Sequence, residues 1–236
     1  MSSRLSRAST GSPGMDELLS GGLPRDRLHV VSGPPGSGKT TFAAQFITAG
    51  ARRGEECVYV TMHETRTELT QDMAAFDFGF EKAMRASNTH FLDLTDESAR
   101  QTLTQYGSAG GLRNRVPAML EGLDADRAVI DSTMLLEHFV DDPDAELTEF
   151  ITRLKDTDTT IILISEMTDP TAYSNEHYLA HGVLFFHNFL EGGGMTRAVQ
   201  LIKMRGTAID CDMRSIEFTD GGIQVYPDRT LEETYG

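Results

Sequence analysis

The sequence has no tryptophan, two cysteines and four lysines among its 236 residues. Long apolar runs are missing too. Stretches such as Thr160–Ile164 are strand-sized, far short of the roughly 20 residues that cross a bilayer as a helix. Met1 to Gly14 is polar, with Ser, Arg, Gly and Pro where a secretory leader has an apolar core. A soluble, cytoplasmic protein is expected. Cys57 and Cys211 lie far apart and belong to no Cys-x-x-Cys pair. That argues against a cysteine metal site or a disulfide framework and leaves both as small buried apolar residues.

Positive charge is scarce as well. Asp and Glu total 36 against 21 Lys and Arg, a net charge of −15. The imbalance is uneven, since residues 1–66 carry a small positive excess and the rest of the chain holds all of the net negative charge. A carboxylate-rich, lysine-poor surface suits a high-salt cytoplasm. In ordinary salt it repels nucleic acid. In molar salt the Debye length falls to about 3 Å, so repulsion alone does not exclude DNA.

What is present fits one substantial α/β domain rather than two. The expected division is a flexible lead over residues 1–10 and a single domain over 11–236. From Gly11 onward strand and helix signals alternate, which favours a mostly parallel sheet flanked by helices. Strands are expected at Leu28–Ser32, Cys57–Met62, His90–Leu94, Ala128–Asp131 and Thr160–Ser165. Helices are expected at Thr40–Ala51, after a capping box at Thr65–Glu68, near Pro117–Glu121, and from Pro143 with Asp142 as N-cap. Tyr106–Arg115 reads as a loop. The pattern then changes: Gly182–Phe189 with Thr196–Met204, and Ser215–Phe218 with Ile223–Tyr226, read as antiparallel hairpins.

The sharpest local signal is Gly33-Pro34-Pro35-Gly36-Ser37-Gly38-Lys39-Thr40, followed by Thr41. It matches G-x-x-x-x-G-K-[ST] between an apolar strand and an amphipathic helix, the context that gives the motif meaning. The loop must wrap a polyphosphate with consecutive N–H groups pointing inward, and glycine permits the positive φ angles this needs. The following helix offers its N-terminal dipole to the anion. Lys39 is expected on the β- and γ-phosphates of ATP and the Thr40 hydroxyl on Mg²⁺. Ala128-Val129-Ile130-Asp131 ends an apolar strand in a carboxylate, so Asp131 is the second expected metal-site residue. Glu64 lies just past the strand Cys57–Met62, 25 residues after Lys39. It is the candidate for activating the attacking water.

The class is carried by a wider set of residues. Thr10-Gly11-Ser12-Pro13-Gly14-Met15-Asp16-Glu17-Leu18-Leu19-Ser20-Gly21-Gly22-Leu23-Pro24 resembles the lead into the phosphate loop of KaiC and RadA-like proteins. Together with Val31–Gly36, Ile130-Asp131-Ser132 and Lys203-Met204-Arg205-Gly206-Thr207, it resembles KaiC specifically, over about residues 10–226. The resemblance implies a RecA-like P-loop core with C-terminal antiparallel strands and assembly as rings or filaments with ATP between subunits. It also implies that Lys203 and Arg205 act on the neighbour's γ-phosphate; two residues apart on a strand, the two are expected to share one face. Ser165-Glu166 resembles the family's polar strand end near the γ-phosphate.

The chain departs from the family pattern in three places. His63-Glu64 replaces the usual paired glutamates. His177-Tyr178 stands where autokinase members carry Ser-Thr, and Ile209 stands where a histidine is common. The leading expectation is therefore a nucleotide-dependent oligomeric regulatory ATPase with an unidentified protein partner. The alternatives are a RadA-like recombinase paralogue binding single-stranded DNA through Tyr106–Arg115 or Thr168–His177, and a scaffold that binds ATP without hydrolysing it.

Overall fold

The computed structural model describes residues 5–61, 63–95, 111–132, 143–169, 171–191 and 193–231. A nine-stranded sheet organises the molecule. β3 (Leu28–Gly33) sits at its centre, with β7 (Thr160–Glu166), β6 (Arg127–Asp131), β4 (Cys57–Thr61) and β5 (Thr89–Asp93) following on one side. On the other side lie β8 (Gly182–Glu191), β9 (Gly194–Met204), β10 (Arg214–Thr219) and β11 (Gly222–Thr230). The strands from β8 through β5 are mutually parallel, and β9, β10 and β11 are antiparallel. This is the expected α/β order, parallel units first and hairpins last.

β3, β4 and β6 are buried along their whole length, as near-continuous apolar runs in a covered parallel sheet should be. One core layer joins Val31, Tyr59, Val129 and Ile162 to Phe42, Phe46 and Ile47 of α2 (Lys39–Ala51). Those three α2 side chains are fully buried, each contributing about 1.5–3 kcal/mol. The opposite layer joins Val30, Val58 and Ile130 to α5 (Gly111–Gly122) and α6 (Pro143–Lys155) through Val116, Leu120, Phe150, Ile151 and Leu154. The remaining helices among the described residues are short: α1 (Pro13–Leu18), α3 (Arg66–Met73), α4 (Phe80–Met84) and α7 (Asn175–Leu179). The capping box forms at the start of α3, with Thr65 and Glu68 each bonding the other's backbone N–H.

Several expectations are corrected. The lead is tied into the fold from Arg7 onward. β1 (Arg7–Ala8) pairs with β2 (Leu23–Pro24), and the Asp16 carboxylate accepts from Ser9 Oγ, Thr10 N and Thr10 Oγ1 at 2.6–2.7 Å. α5 starts at Gly111, so Gly111–Arg115 is helical rather than looped and Pro117 lies in a helix interior. That position forfeits a backbone hydrogen bond. Burial of Val116 and Leu120 offsets the loss, as do ion pairs from Arg113 to Glu146 and Glu149 at 2.8 and 2.7 Å. Cys211 is exposed, while Cys57 is buried and burial pushes its thiol up to about 12. The Asp142 N-cap, Met62 and Tyr106–Gly110 lie outside the described residues. Among the described residues no helix is long and apolar enough to cross a membrane.

The sheet end where β3 begins is held by a buried arginine. Arg127 is fully inaccessible and donates to Ser9 O, Phe46 O and Glu55, with its guanidinium 4.6 Å from the centre of the Phe46 ring. Glu55 also pairs with Arg25. Burial pushes the Glu55 carboxyl up, but its bonds to Arg127 and Arg25 outweigh that and hold it below its ordinary value. A depressed carboxylate stabilises the fold above its unfolded-state pKa, and the contribution is lost as pH falls through the folded value. Glu55→Ala is expected to cost about 2 kcal/mol, the scale for stranding a buried charged donor. Urea unfolding at neutral pH measures it, and the gap between variant and wild type should close in acid.

Candidate functional site

The phosphate loop links the carboxyl end of β3 to the N-terminus of α2, at the edge where open parallel sheets bind ligands. Two glycines are obligatory there. A Cβ on Gly33 would lie 2.2 Å from Phe186 O. Gly38 caps α2 with φ 107°, and a Cβ on it would meet Ile223 Cδ1 at 2.7 Å. The loop curls back on its lysine: Lys39 Nζ donates to Gly33 O at 2.8 Å and Pro34 O at 3.1 Å and pairs with Glu166 Oε2 at 3.2 Å. Lys39 is only 5% exposed. Among the described residues the nearby Ser37 hydroxyl is buried with no hydrogen-bond partner, a group that an anion in the loop can satisfy.

Asp131 stands two strands away, at the end of β6. Its Oδ2 accepts from Thr40 Oγ1 at 3.3 Å and from Tyr59 OH at 3.2 Å. Burial raises its pKa, opposed by the Tyr59 bond, the His63 charge, the Thr40 bond and the Lys39 charge. Burial first, then Asp131, pushes the Tyr59 phenol well up, so it remains an O–H donor. Thr40 and Asp131 thus form a pair of hard oxygen groups suited to a hydrated Mg²⁺, which rarely needs an all-protein cage. His63 is exposed and its Nε2 lies 3.1 Å from Ser132 Oγ. Glu64 is half-buried. Burial raises its pKa most, followed by the charges of Asp72, Asp131 and Glu68, with His63 opposing. A cleft of about 490 Å³ beside the loop is lined by Pro35, His63, Glu166, Met167 and Thr168.

Lys203 and Arg205 are not in this group. Lys203 pairs with Val183 in the sheet, and Gly182 pairs with His29 near the start of β3. At about 3.3 Å per residue, the Lys203 backbone lies about 10 Å before Gly33 along the strands, and Arg205, beyond the end of β9, lies about 16 Å before it. Lys203 Nζ donates to His177 O and Tyr178 O at 3.0 and 2.9 Å. Burial lowers its pKa, and the Arg205 and Lys155 charges lower it further. The shared-face expectation is corrected: β9 ends at Met204, and Arg205 is exposed in the turn that follows. That turn is closed by Thr207 N–H to Met204 O at 3.1 Å, so strand alternation does not relate the two side chains.

The sequence patterns missed the loop's outer wall. Arg197 Nε donates to Gly36 O at 2.9 Å and Asn188 Nδ2 to Pro35 O at 3.2 Å. The Arg197 guanidinium lies 4.9 Å from the centre of the Phe218 ring, and Phe218 lines the mouth of the phosphate loop. Asn188 and Arg197 sit 153 and 161 positions from the residues they bond, and only the hairpin registers bring them to the loop.

A glycine-rich loop on a central parallel strand, a lysine folded into it and a facing strand-end aspartate define a P-loop protein of the RecA-like α/β class. Within that class the chain belongs to the family described as "ATPase: KaiC", which matches residues 8–230. It is 30% identical to a UPF0273 protein of Pyrococcus horikoshii, covering 96% of both chains. It is 28% identical to the circadian clock oscillator protein KaiC of Parathermosynechococcus lividus, over 92% of this chain. The chain spans 42% of the length of that clock relative. The crystal structure of a KaiC-like protein, PH0186 of Pyrococcus horikoshii, superimposes with a TM-score of 0.81 at 30% identity, covering 94% of this chain and all of that one.

Proposed function

We propose that this chain binds ATP with Mg²⁺, hydrolyses it with Glu64 as the base, and works as a nucleotide-dependent homo-oligomer with regulatory output. The observation that carries the reading is the convergence of Lys39, Thr40 and Asp131 on one loop, beside a buried Ser37 hydroxyl with no partner among the described residues. Lys39 exchanges Glu166 for the β- and γ-phosphates, and the loop's N–H groups and the α2 dipole hold the remaining charge. Thr40 and Asp131 hold the hydrated metal, which when bound neutralises developing phosphate charge. Glu64 orients the attacking water and takes its proton. Its raised pKa brings its basicity nearer to neutral pH, as a general base requires.

Lys203 and Arg205 complete the site of a second copy. Their distance from their own loop supports action in trans, in the manner of an arginine finger. The single-stranded DNA reading is weaker, because Arg113, one of its two basic loop residues, is paired with Glu146 and Glu149. A mixing experiment tests the proposal. A Lys39→Ala subunit lacks its own phosphate site but still offers Arg205, and an Arg205→Ala subunit has the reverse defect. Each variant alone should be inactive, and mixing them should restore part of the ATPase activity. Restoration of nothing removes the trans assignment.

A further inference from the structure

Tyr59 is absent from every motif that marks the phosphate site, yet its hydroxyl ends on the site's carboxylate. The side chain is fully buried in the middle of β4. Its ring stacks on Phe91 at 5.5 Å and 9° and meets Phe80 edge-on at 6.5 Å. Packing on two sides therefore sets where the oxygen lies. A phenylalanine fills the same ring space without burying a hydroxyl, and a buried hydroxyl is costly unless it is bonded. Among the described residues the Tyr59 hydroxyl has one hydrogen-bond partner, Asp131 Oδ2 at 3.2 Å. Thr40 Oγ1 reaches the same oxygen at 3.3 Å. Two donors from separate elements, a core strand and the first turn of α2, thus converge on one carboxylate oxygen. The other oxygen, Oδ1, accepts no protein donor among the described residues.

We propose that Tyr59 is a positioning residue for the metal site, locking the Asp131 carboxylate through Oδ2 so that Oδ1 is presented to the water shell of the bound divalent cation. The tyrosine touches neither nucleotide nor metal and acts through Asp131 alone. This rests on the reading of Asp131 as the metal-site carboxylate. Partners that orient metal-site groups typically change metal affinity by 10–100-fold when removed.

The test uses the full chain, a fluorescent non-hydrolysable ATP analogue and MgCl₂. Tyr59→Phe is expected to raise the Mg²⁺ concentration for half-maximal tightening of analogue binding by about 10-fold. Affinity for the analogue in EDTA should stay at the wild-type value. Asp131→Asn should raise the Mg²⁺ midpoint at least as much, and adding Tyr59→Phe to it should shift the midpoint no further, since the tyrosine then has no carboxylate to orient. A wild-type midpoint in Tyr59→Phe beside a shifted one in Asp131→Asn overturns the role of Tyr59. A further shift in the double variant overturns it too, as does an equal loss of affinity in EDTA. An unshifted midpoint in Asp131→Asn overturns the metal-site reading itself.

Discussion

A Lys39→Ala variant should lose about 10²- to 10³-fold in affinity for ATP, measured by titration with Mg²⁺ present. Charge-assisted hydrogen bonds to two phosphate groups contribute about 3–4 kcal/mol together, and every 1.4 kcal/mol is tenfold. In the structure Lys39 Nζ is held by Gly33 O, Pro34 O and the Glu166 carboxylate. Removing the lysine therefore does two things. It deletes a cation from the loop, and it leaves the Glu166 carboxylate facing incoming phosphates with nothing to neutralise it. The second effect is separable. Adding Glu166→Gln to Lys39→Ala should recover part of the lost affinity, because the repulsion disappears while the missing lysine stays missing. Wild-type affinity in Lys39→Ala would remove the phosphate-site assignment, and no recovery in the double variant would confine Glu166 to a surface role.

The phosphate loop and Asp131 were legible because their chemistry is local. Consecutive residues fix the loop's backbone, and an apolar run ending in Asp states both strand and carboxylate. The parallel core was legible for the same reason, since strands buried on both faces read as continuous apolar runs. Other features depend on pairing register, which sequence spacing does not encode. Arg197 and Phe218 reach the loop through the β8–β9 and β10–β11 hairpins. Tyr59 looks like any aromatic strand residue until β6 is laid beside β4 with Thr61 opposite Asp131. The start of α5 at Gly111 differs from the expected one because Pro117 resembles a first-turn proline. The burial of Val116 and Leu120 and the ion pairs of Arg113, which carry the helix back to Gly111, come from elements distant in sequence. The turn at Gly206 ended β9 one residue before Arg205, which no alternation rule foretells.

Glu64→Gln should leave nucleotide affinity near wild type and lower ATP turnover by about 10²- to 10⁴-fold, the usual range for loss of a general base. Gln keeps the size and one acceptor oxygen of the carboxylate but cannot take a proton. The choice between Glu64 and its neighbour follows from their surroundings. His63 is exposed and its Nε2 is engaged with Ser132 Oγ, whereas Glu64 is half-buried among Asp72, Asp131 and Glu68. Burial and those like charges disfavour its ionised form, which strengthens it as a base. A pH signature follows. The free protein's kcat/KM should fall on the acid side as Glu64 takes up a proton, with a midpoint above the ordinary carboxylate value because burial and like charge both raise it. Above that midpoint the base is ionised and the rate is full. Glu64→Gln should remove this limb along with most of the turnover, and His63→Ala should leave the limb in place and cost far less. The opposite ranking moves the base to His63. Absence of turnover in the wild-type protein, with binding intact, would leave ATP as a structural ligand that holds the oligomer together.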